Sequence, residues 1–179
     1  LMDGANEAGE VVKFLGFIPV TCFSQALTTF IGQNLGAKEY DRTKKGALFG
    51  TICGIGIAEV IGIAVFFFSP YLIAAFGGDQ KAIEYGIAEA HTIALFYCLL
   101  AFSHCMAAIQ RGAGRSIVPM FVMMLVWCGV RVTYISIVIR IIPVINVIYW
   151  AYPLTWFISS VIFLILFLKT DWIHGLEKQ

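Results

Sequence analysis

Long runs without charge are the feature that most constrains this chain. Phe14 to Ile31 carries no charged side chain over 18 residues, and Gly46 to Phe68 carries only Glu59 over 23 residues. A helix rises about 1.5 Å per residue, so each run is long enough, or nearly so, to cross a hydrocarbon layer of roughly 30 Å. Residues 1–179 are therefore predicted to form a single membrane domain, an all-α integral membrane protein. Its five transmembrane helices are predicted at about residues 11–33, 46–68, 89–110, 117–140 and 147–168.

Composition agrees with a chain dissolved in a lipid bilayer. The 179 residues are 60% hydrophobic and 13% charged, whereas a soluble domain has about a quarter of its residues charged. The net charge of +1 offers no basic face for nucleic acid, so no nucleic-acid partner is expected. The five cysteines lie in apolar segments without metal-type spacing. They are interpreted as small core residues, and no metal site is predicted.

The distribution of Lys and Arg predicts the orientation, because cytoplasmic loops carry the positive excess. The first and third loops and the tail hold eight, which are Lys38, Arg42, Lys44, Lys45, Arg111, Arg115, Lys169 and Lys178. The opposite side holds three, Lys13, Lys81 and Arg140. We therefore expect a multi-pass protein of the cell (inner) membrane with a cytoplasmic C-terminus. An odd number of spans that begins outside, without a signal sequence, leads us to expect that an upstream part is absent.

Two patterns along the first two predicted helices concern packing and polarity. Small residues recur at every fourth position of the second helix, a pattern that lets a neighbouring helix approach closely. These residues are Gly46, Gly50, Gly54, Ala58 and Gly62. A polar stripe follows one face of the first helix. It comprises Thr21, Gln25, Thr28 and Gly32, with Thr29 beside them. Two interpretations stay open for the stripe: hydrogen bonds to neighbouring helices, or the wall of a water-filled cavity.

Two ionised residues, Glu59 and Arg131, fall in the middle of predicted spans, where each costs roughly 2.5–3.5 kcal/mol. Each lies 14 residues from the cytoplasmic start of its helix, counted from Lys45 and Ile117, so the two have nearly equal depth. We hypothesise that they pair. The alternative makes Glu59 a proton or cation site and Arg131 a clamp on backbone carbonyls. His104 also lies at membrane depth, either as a hydrogen-bonded neutral imidazole or as a proton relay.

A family resemblance emerges from the order of several motifs. The run QALTTFIGQNLGA at residues 25–37 is followed by a basic turn, then by Arg111-Gly112-Ala113-Gly114, Pro119-Met120 and Arg131-Val132. This order resembles the multidrug and toxic compound extrusion (MATE) family. The resemblance covers nearly the whole chain and corresponds to the last five of twelve helices. It implies that the N-terminal lobe and the first helix of the second lobe are missing from this sequence.

The resemblance also implies an activity. Family members are antiporters that exchange H⁺ or Na⁺ for organic, often cationic, drugs, and their two lobes rock about a central cavity. Carried over, the substrate-cavity residues would be Gln25, Thr28, Thr29, Tyr97, Ser103 and His104. The cytoplasmic turns would comprise Gln33, Asn34, Gly36, Arg111 and Gly112. The expected partners are the bilayer, small organic substrates and the missing lobe.

One departure from the family pattern affects ion coupling. Some members carry a cation-binding carboxylate in the helix matching residues 89–110, but the corresponding position here is the uncharged Leu100. The coupling site is therefore expected outside this chain, or at Glu59 in a different arrangement. The choice between H⁺ and Na⁺ stays open.

Other classes make different demands on the sequence. A lipid-linked oligosaccharide or lipid flippase of the same superfamily is the alternative, although it would place more basic residues on the cavity helices. A half-length subunit that pairs with another chain also stays open. Intramembrane proteases need His-Glu-x-x-His or paired aspartates at depth. The chain has neither, so we do not expect an enzyme.

Overall fold

The fold is taken from a computed structural model that describes residues 3–75, 80–141 and 146–173. Side chains are described at residues 14, 16–75, 80–81, 83–141 and 148–173. Every regular element in these ranges is helical, which confirms the all-α prediction. The helices are α1 (Asp3–Gly36), α2 (Tyr40–Ala75), α3 (Gln80–Ala94), α4 (Tyr97–Gly112), α5 (Ile117–Met123), α6 (Arg131–Ile141) and α7 (Asn146–Lys169). A π-helical segment, Met124–Val130, joins α5 to α6.

Among the described residues, three helices are long and apolar enough to cross a membrane. They are Tyr40–Ala75, the continuous helix Ile117–Ile141, and Ile148–Lys169. The pair α3 and α4, bent by 53°, forms a fourth span if it is counted as one. The first predicted segment lies on α1, and most side chains before residue 16 are outside the described residues. Lys178, which was counted in predicting the orientation, also lies outside the described residues. Five spans therefore stay a prediction.

The bend between α3 and α4 differs from the continuous helix predicted at residues 89–110. Leu95 and Phe96 leave the helix there, although the sequence has neither Pro nor Gly at the break. The break lies at a close contact with another helix. A Cβ added to Gly62 of α2 would lie 2.6 Å from the carbonyl oxygen of Ala94, so α2 packs directly against backbone at the end of α3.

The small-residue ridge of α2 makes the close approaches that were predicted. α2 packs against α1, α3 and α4, while α6 packs against α7 and the π-helical segment. Gly50, Gly54, Ala58 and Gly62 are all buried. A Cβ at Gly54 would lie 2.7 Å from Sγ of Cys105 on α4. The ridge thus holds α2 at a distance from its neighbours that larger side chains would increase.

Exposure is distributed as a membrane protein requires. Large apolar side chains cover the outer surface, for example Phe49, Phe67 and Leu168. Small hydroxyl side chains are buried instead, and Ser103 and Thr155 have no exposed surface. Buried hydroxyls find hydrogen-bond partners within the bundle, whereas a lipid-facing surface needs none.

The helices α1 and α4 end in the same kind of closed turn. The N–H of Glu39 donates to the carbonyl of Asn34, and the N–H of Arg115 donates to the carbonyl of Gln110, both at 2.9 Å. Each turn contains one left-handed residue, Lys38 with φ 60° and Gly114 with φ 79°. This is the hydrogen-bond pattern of a Schellman-type helix end, in which glycine is the usual left-handed residue.

Candidate functional site

A half-open cavity of about 300 Å³ lies between α1, α3, α4, the π-helical segment, α6 and α7. It is lined almost entirely by aromatic and aliphatic side chains around one cation. The lining residues are Phe14, Phe17, Ile93, Tyr97, Leu100, Trp127, Arg131, Tyr152 and Trp156. We call it the Arg131 cavity. An apolar concavity with few polar groups is the usual form of a small-molecule site.

The local helix geometry explains why these side chains converge. Tyr152 and Trp156 are four residues apart on α7, so they lie on one face of that helix. Trp127 and Arg131 also lie four apart, but Trp127 belongs to the π-helical segment that leads into α6. A π-helical turn contains an extra residue, which redirects the side chains around it and is frequent at functional sites.

Arg131 is held by α7 rather than by a carboxylate. Its Nη2 donates a 2.9 Å hydrogen bond to Oγ1 of Thr155, and that hydroxyl is 3.0 Å from the carbonyl oxygen of Ala151. The guanidinium carbon lies 4.3 Å from the ring centroid of Tyr152 and 5.8 Å from that of Trp127. Cation–π contacts of this kind stabilise a guanidinium by about 0.5–2 kcal/mol.

Unsatisfied donors accompany this cation. Nε of Arg131 and Nε1 of Trp127 are buried and have no hydrogen-bond partner within the part of the chain that the structure describes. Buried N–H groups are normally paired with protein, water or ligand. Both atoms belong to side chains that line the Arg131 cavity, although the atoms themselves are buried in the wall.

His104 stands behind the cavity wall. The imidazole is buried and meets Trp127 and Phe17 edge-on, with centroid separations of 5.5 Å and 5.3 Å. Its Nε2 has no hydrogen-bond partner among the described residues. The hydrogen-bonded imidazole expected from the sequence is therefore not formed at this nitrogen. His104 instead packs edge-on against both Trp127 and Phe17.

Glu59 and Arg131 have separate partners, in contrast to the hypothesis that they pair. Oε1 of Glu59 accepts a 3.0 Å hydrogen bond from the backbone N–H of Cys98, which lies in the first turn of α4. A carboxylate there satisfies a free amide and interacts favourably with the helix dipole. Depth alone suggested the pair. Equal depth does not make two helices neighbours, and α2 packs against α4 whereas α6 packs against α7.

The predicted substrate residues divide into two groups. Tyr97 lines the Arg131 cavity, and Ser103 lies behind it on α4, where its hydroxyl donates to the carbonyl of Leu100 at 2.9 Å. On α1, Gln25 and Thr29 are exposed and Thr28 is half-buried. None of these three lines the cavity.

The threonines of the polar stripe bond within their own helix. Thr21, Thr28 and Thr29 donate to the carbonyls of Ile18, Ser24 and Gln25, respectively. The interhelical hydrogen bonds considered for the stripe are therefore not made by these hydroxyls. The exposed Gln25 and Thr29 leave the second interpretation, a cavity wall, as a prediction.

The predicted turn residues meet where α1 and α4 end. Asn34 is buried and donates from Nδ2 to the carbonyl of Phe30 at 2.7 Å, whereas Gln33 and Gly36 are exposed. A Cβ on Gly112, next to the half-buried Arg111, would lie 2.7 Å from the carbonyl oxygen of Thr28. This close backbone approach explains why glycine follows arginine at this position.

Sequence reasoning missed Trp127, Tyr152 and Trp156 as members of a site. Tyr152 lies near the start of the last predicted span, a position typical of an interfacial aromatic belt. The four-residue spacings Trp127–Arg131 and Tyr152–Trp156 were the available signal, since each pair shares a helix face. That signal does not show that the two faces meet.

Long apolar helices around an aromatic cavity define an integral membrane protein with a candidate small-molecule site. The family follows from comparison: a model of the MatE family matches residues 3–135, and the chain belongs to that family. Over 117 residues, the chain is also 29% identical to the "Probable multidrug resistance protein NorM" of Thermotoga maritima. That alignment covers 65% of the chain and 25% of the relative. The family consists of membrane transporters, not enzymes, and its activity is multidrug efflux.

Proposed function

We propose that this protein is a cation-coupled antiporter that exports organic compounds, including cationic drugs and other xenobiotics, across the cell (inner) membrane. The observation that carries the proposal is the Arg131 cavity, which lies inside the helix bundle of a MatE-family chain. A cavity of about 300 Å³ at this depth serves a solute that crosses the membrane. In this proposal the N-terminal lobe of the family architecture completes the transport path.

The exposed face of α1 supplies the second part of the proposal. Gln25, Thr29 and Gln33 are exposed at intervals of four residues, so they form one polar line. A polar line facing acyl chains would be unfavourable, because side-chain amides lose hydrogen bonds to water there. We place this line toward the path between the lobes. The amide of Gln25 offers both a donor and an acceptor to a passing substrate.

The coupling ion in this proposal is H⁺ or Na⁺, and its site lies outside this chain. Leu100 lines the Arg131 cavity at the position where some family members carry a carboxylate. Glu59, the mid-span acid of α2, has its carboxylate engaged by the amide of Cys98. A structural role therefore accounts for Glu59 without ion transport.

Ethidium efflux tests the α1 assignment. Cells that express the complete product of the gene would be loaded with ethidium, and its loss followed by fluorescence. Gln25→Ala should slow efflux several-fold at a normal membrane level, because the amide is removed from the path. Ile52→Ala is the matched control, since it truncates an exposed side chain on α2. Unchanged efflux in Gln25→Ala would contradict the assignment.

Ionophores test the coupling. Dissipating the H⁺ gradient with a protonophore, or the Na⁺ gradient with a sodium ionophore, should abolish ethidium efflux in one case and spare it in the other. Efflux that survives the loss of both gradients would refute cation-coupled antiport.

A further inference from the structure

We propose that the Arg131 cavity binds planar aromatic acids, with the carboxylate on Arg131 and the ring among the surrounding aromatic side chains. This inference rests on the proposed export function and narrows its substrates at this site. It assigns to the cavity an anionic or zwitterionic aromatic compound, and it leaves permanent organic cations such as ethidium to the polar line of α1 that Gln25→Ala tests.

The charge of the cavity is the first argument. No Asp or Glu lies within ion-pair distance of the Arg131 guanidinium in the described part of the chain, and its hydrogen-bond partner is the neutral hydroxyl of Thr155. A cation at membrane depth is costly unless an anion or dipoles compensate it. A bound carboxylate supplies that compensation, whereas a cationic ligand would meet a like charge.

The geometry of the donors is the second argument. Guanidinium groups bind carboxylates through two parallel hydrogen bonds, which makes arginine specific for planar anions. One amino group of Arg131 is used by Thr155, while its Nε and the indole N–H of Trp127 have no acceptor among the described residues. A carboxylate in the cavity would contact the part of the Arg131 guanidinium that lines it.

The ring environment is the third argument. Six of the nine lining residues are aromatic: Phe14, Phe17, Tyr97, Trp127, Tyr152 and Trp156. Tyr152 and Trp156 meet edge-on with centroids 6.2 Å apart, and Tyr97 lies 6.2 Å from Trp156. Aromatic rings prefer offset or edge-on contacts with other rings at these separations. The cavity therefore favours a flat ring system over a flexible aliphatic chain.

Equilibrium binding of radiolabelled 2-naphthoate, compared with 2-naphthamide, tests the inference in the complete gene product reconstituted into nanodiscs. The two probes have the same ring and nearly the same shape, but only naphthoate is charged. Naphthoate should bind at least about tenfold more tightly, because hydrogen bonds to charged groups are the stronger ones. Acetate should not compete at concentrations that saturate naphthoate. Equal binding of acid and amide, or full competition by acetate, would overturn the inference.

Variants assign the preference to one residue. Arg131→Met should abolish the preference for the acid, because the positive charge is removed. Arg131→Lys should keep part of the preference, because the charge remains but the two parallel donors of the guanidinium are lost. Arg140→Met is the matched control, because Arg140 is exposed on the same helix and does not line the cavity. A preference that persists in Arg131→Met would overturn the inference. The wild-type comparison of acid and amide needs no variant, so it decides the question even if Arg131→Met fails to fold.

The two proposals fail separately. If the protein exports ethidium but does not distinguish naphthoate from naphthamide, the inference is wrong and the export function stands. If naphthoate binding depends on Arg131 but no efflux of ethidium or naphthoate is found, the binding site stands and the export function is wrong.

Discussion

Oε1 of Glu59 on α2 lies 3.0 Å from the backbone nitrogen of Cys98 at the start of α4. Phe96, which precedes α4, makes no side-chain hydrogen bond to this end of the helix. A residue 39 positions earlier in the chain therefore provides the cap. This contact gives a structural reason for a carboxylate in the middle of a span, and it fixes the break between α3 and α4 against α2.

Removing the Glu59 cap should destabilise the protein. Glu59→Ala is expected to cost about 0.5–2 kcal/mol, the range measured for lost helix caps, whereas Glu59→Gln keeps a carbonyl acceptor and should lose less. The midpoint of thermal unfolding in detergent measures this. Glu84→Ala, an exposed position on α3, is the control and should leave the midpoint unchanged. Normal stability in Glu59→Gln together with lost efflux would assign Glu59 to ion coupling instead of capping.

Gly62 should not tolerate a methyl group. In Gly62→Ala the new Cβ would lie 2.6 Å from the carbonyl oxygen of Ala94. Neither backbone can move freely there, so α2 must separate from α3 and the yield of folded protein should fall. Gly56→Ala is the matched control on the same helix, because nothing lies within 4 Å of its added Cβ. Size-exclusion profiles of the two variants make the comparison, and similar yields would contradict the packing described.

Helix α2 shows how much of this fold could be predicted from the sequence. The spacing of Gly50, Gly54 and Gly62 predicted close helix contacts, because helical periodicity alone puts these residues on one face. The same periodicity could not predict which backbone Gly62 would meet. Likewise the break at Leu95 and Phe96 has no Pro or Gly to signal it, and it lies where α2 contacts the end of α3 and the start of α4.

The Arg131 cavity shows the same limit more clearly. The position of Arg131 in the middle of a predicted span could be predicted from one run of apolar residues. The same run predicted that its positive charge needs a compensating partner. Its partners Thr155 and Tyr152 lie more than twenty residues away, and which helix they occupy depends on how α6 and α7 pack. Family resemblance directed attention to Gln25 and Thr29 on α1, which are exposed, and to Tyr97, which lines the cavity, but not to Trp127, Tyr152 or Trp156.

Lys38 should gain stability from replacement by glycine. Its φ of 60° lies in the left-handed region, which costs a residue with a Cβ roughly 1–2 kcal/mol and glycine nearly nothing. Lys38→Gly should therefore raise the thermal midpoint. Lys44→Gly, at an exposed helical position of α2, should lower it by about 1 kcal/mol of unfolding free energy. Opposite changes in the thermal midpoint for these two Lys→Gly substitutions would support the left-handed backbone at Lys38. Changes in the same direction would refute it.

The orientation can be tested at the two sides of α2. In a background with all five cysteines replaced, Arg42→Cys and Gln80→Cys introduce exposed thiols before and after the span. A membrane-impermeable maleimide added to intact cells should label Gln80→Cys and spare Arg42→Cys, because the basic turn is predicted to be cytoplasmic. Labelling of both positions after permeabilisation is the control. The reverse pattern would invert the predicted topology.

Thr155 should be more important than the other buried hydroxyls of α7, because it alone among the described residues accepts a hydrogen bond from Arg131. Thr155→Val keeps the shape of the side chain but removes the acceptor of the part-buried Nη2 of Arg131, at a cost of about 1–3 kcal/mol. Ser159→Ala is the matched control, because the hydroxyl of Ser159 is equally buried and bonds only to the carbonyl of Trp156 within the same helix. Thermal unfolding should show a clearly larger loss for Thr155→Val. Equal losses would mean that Thr155 acts only within its own helix and that α7 does not hold Arg131.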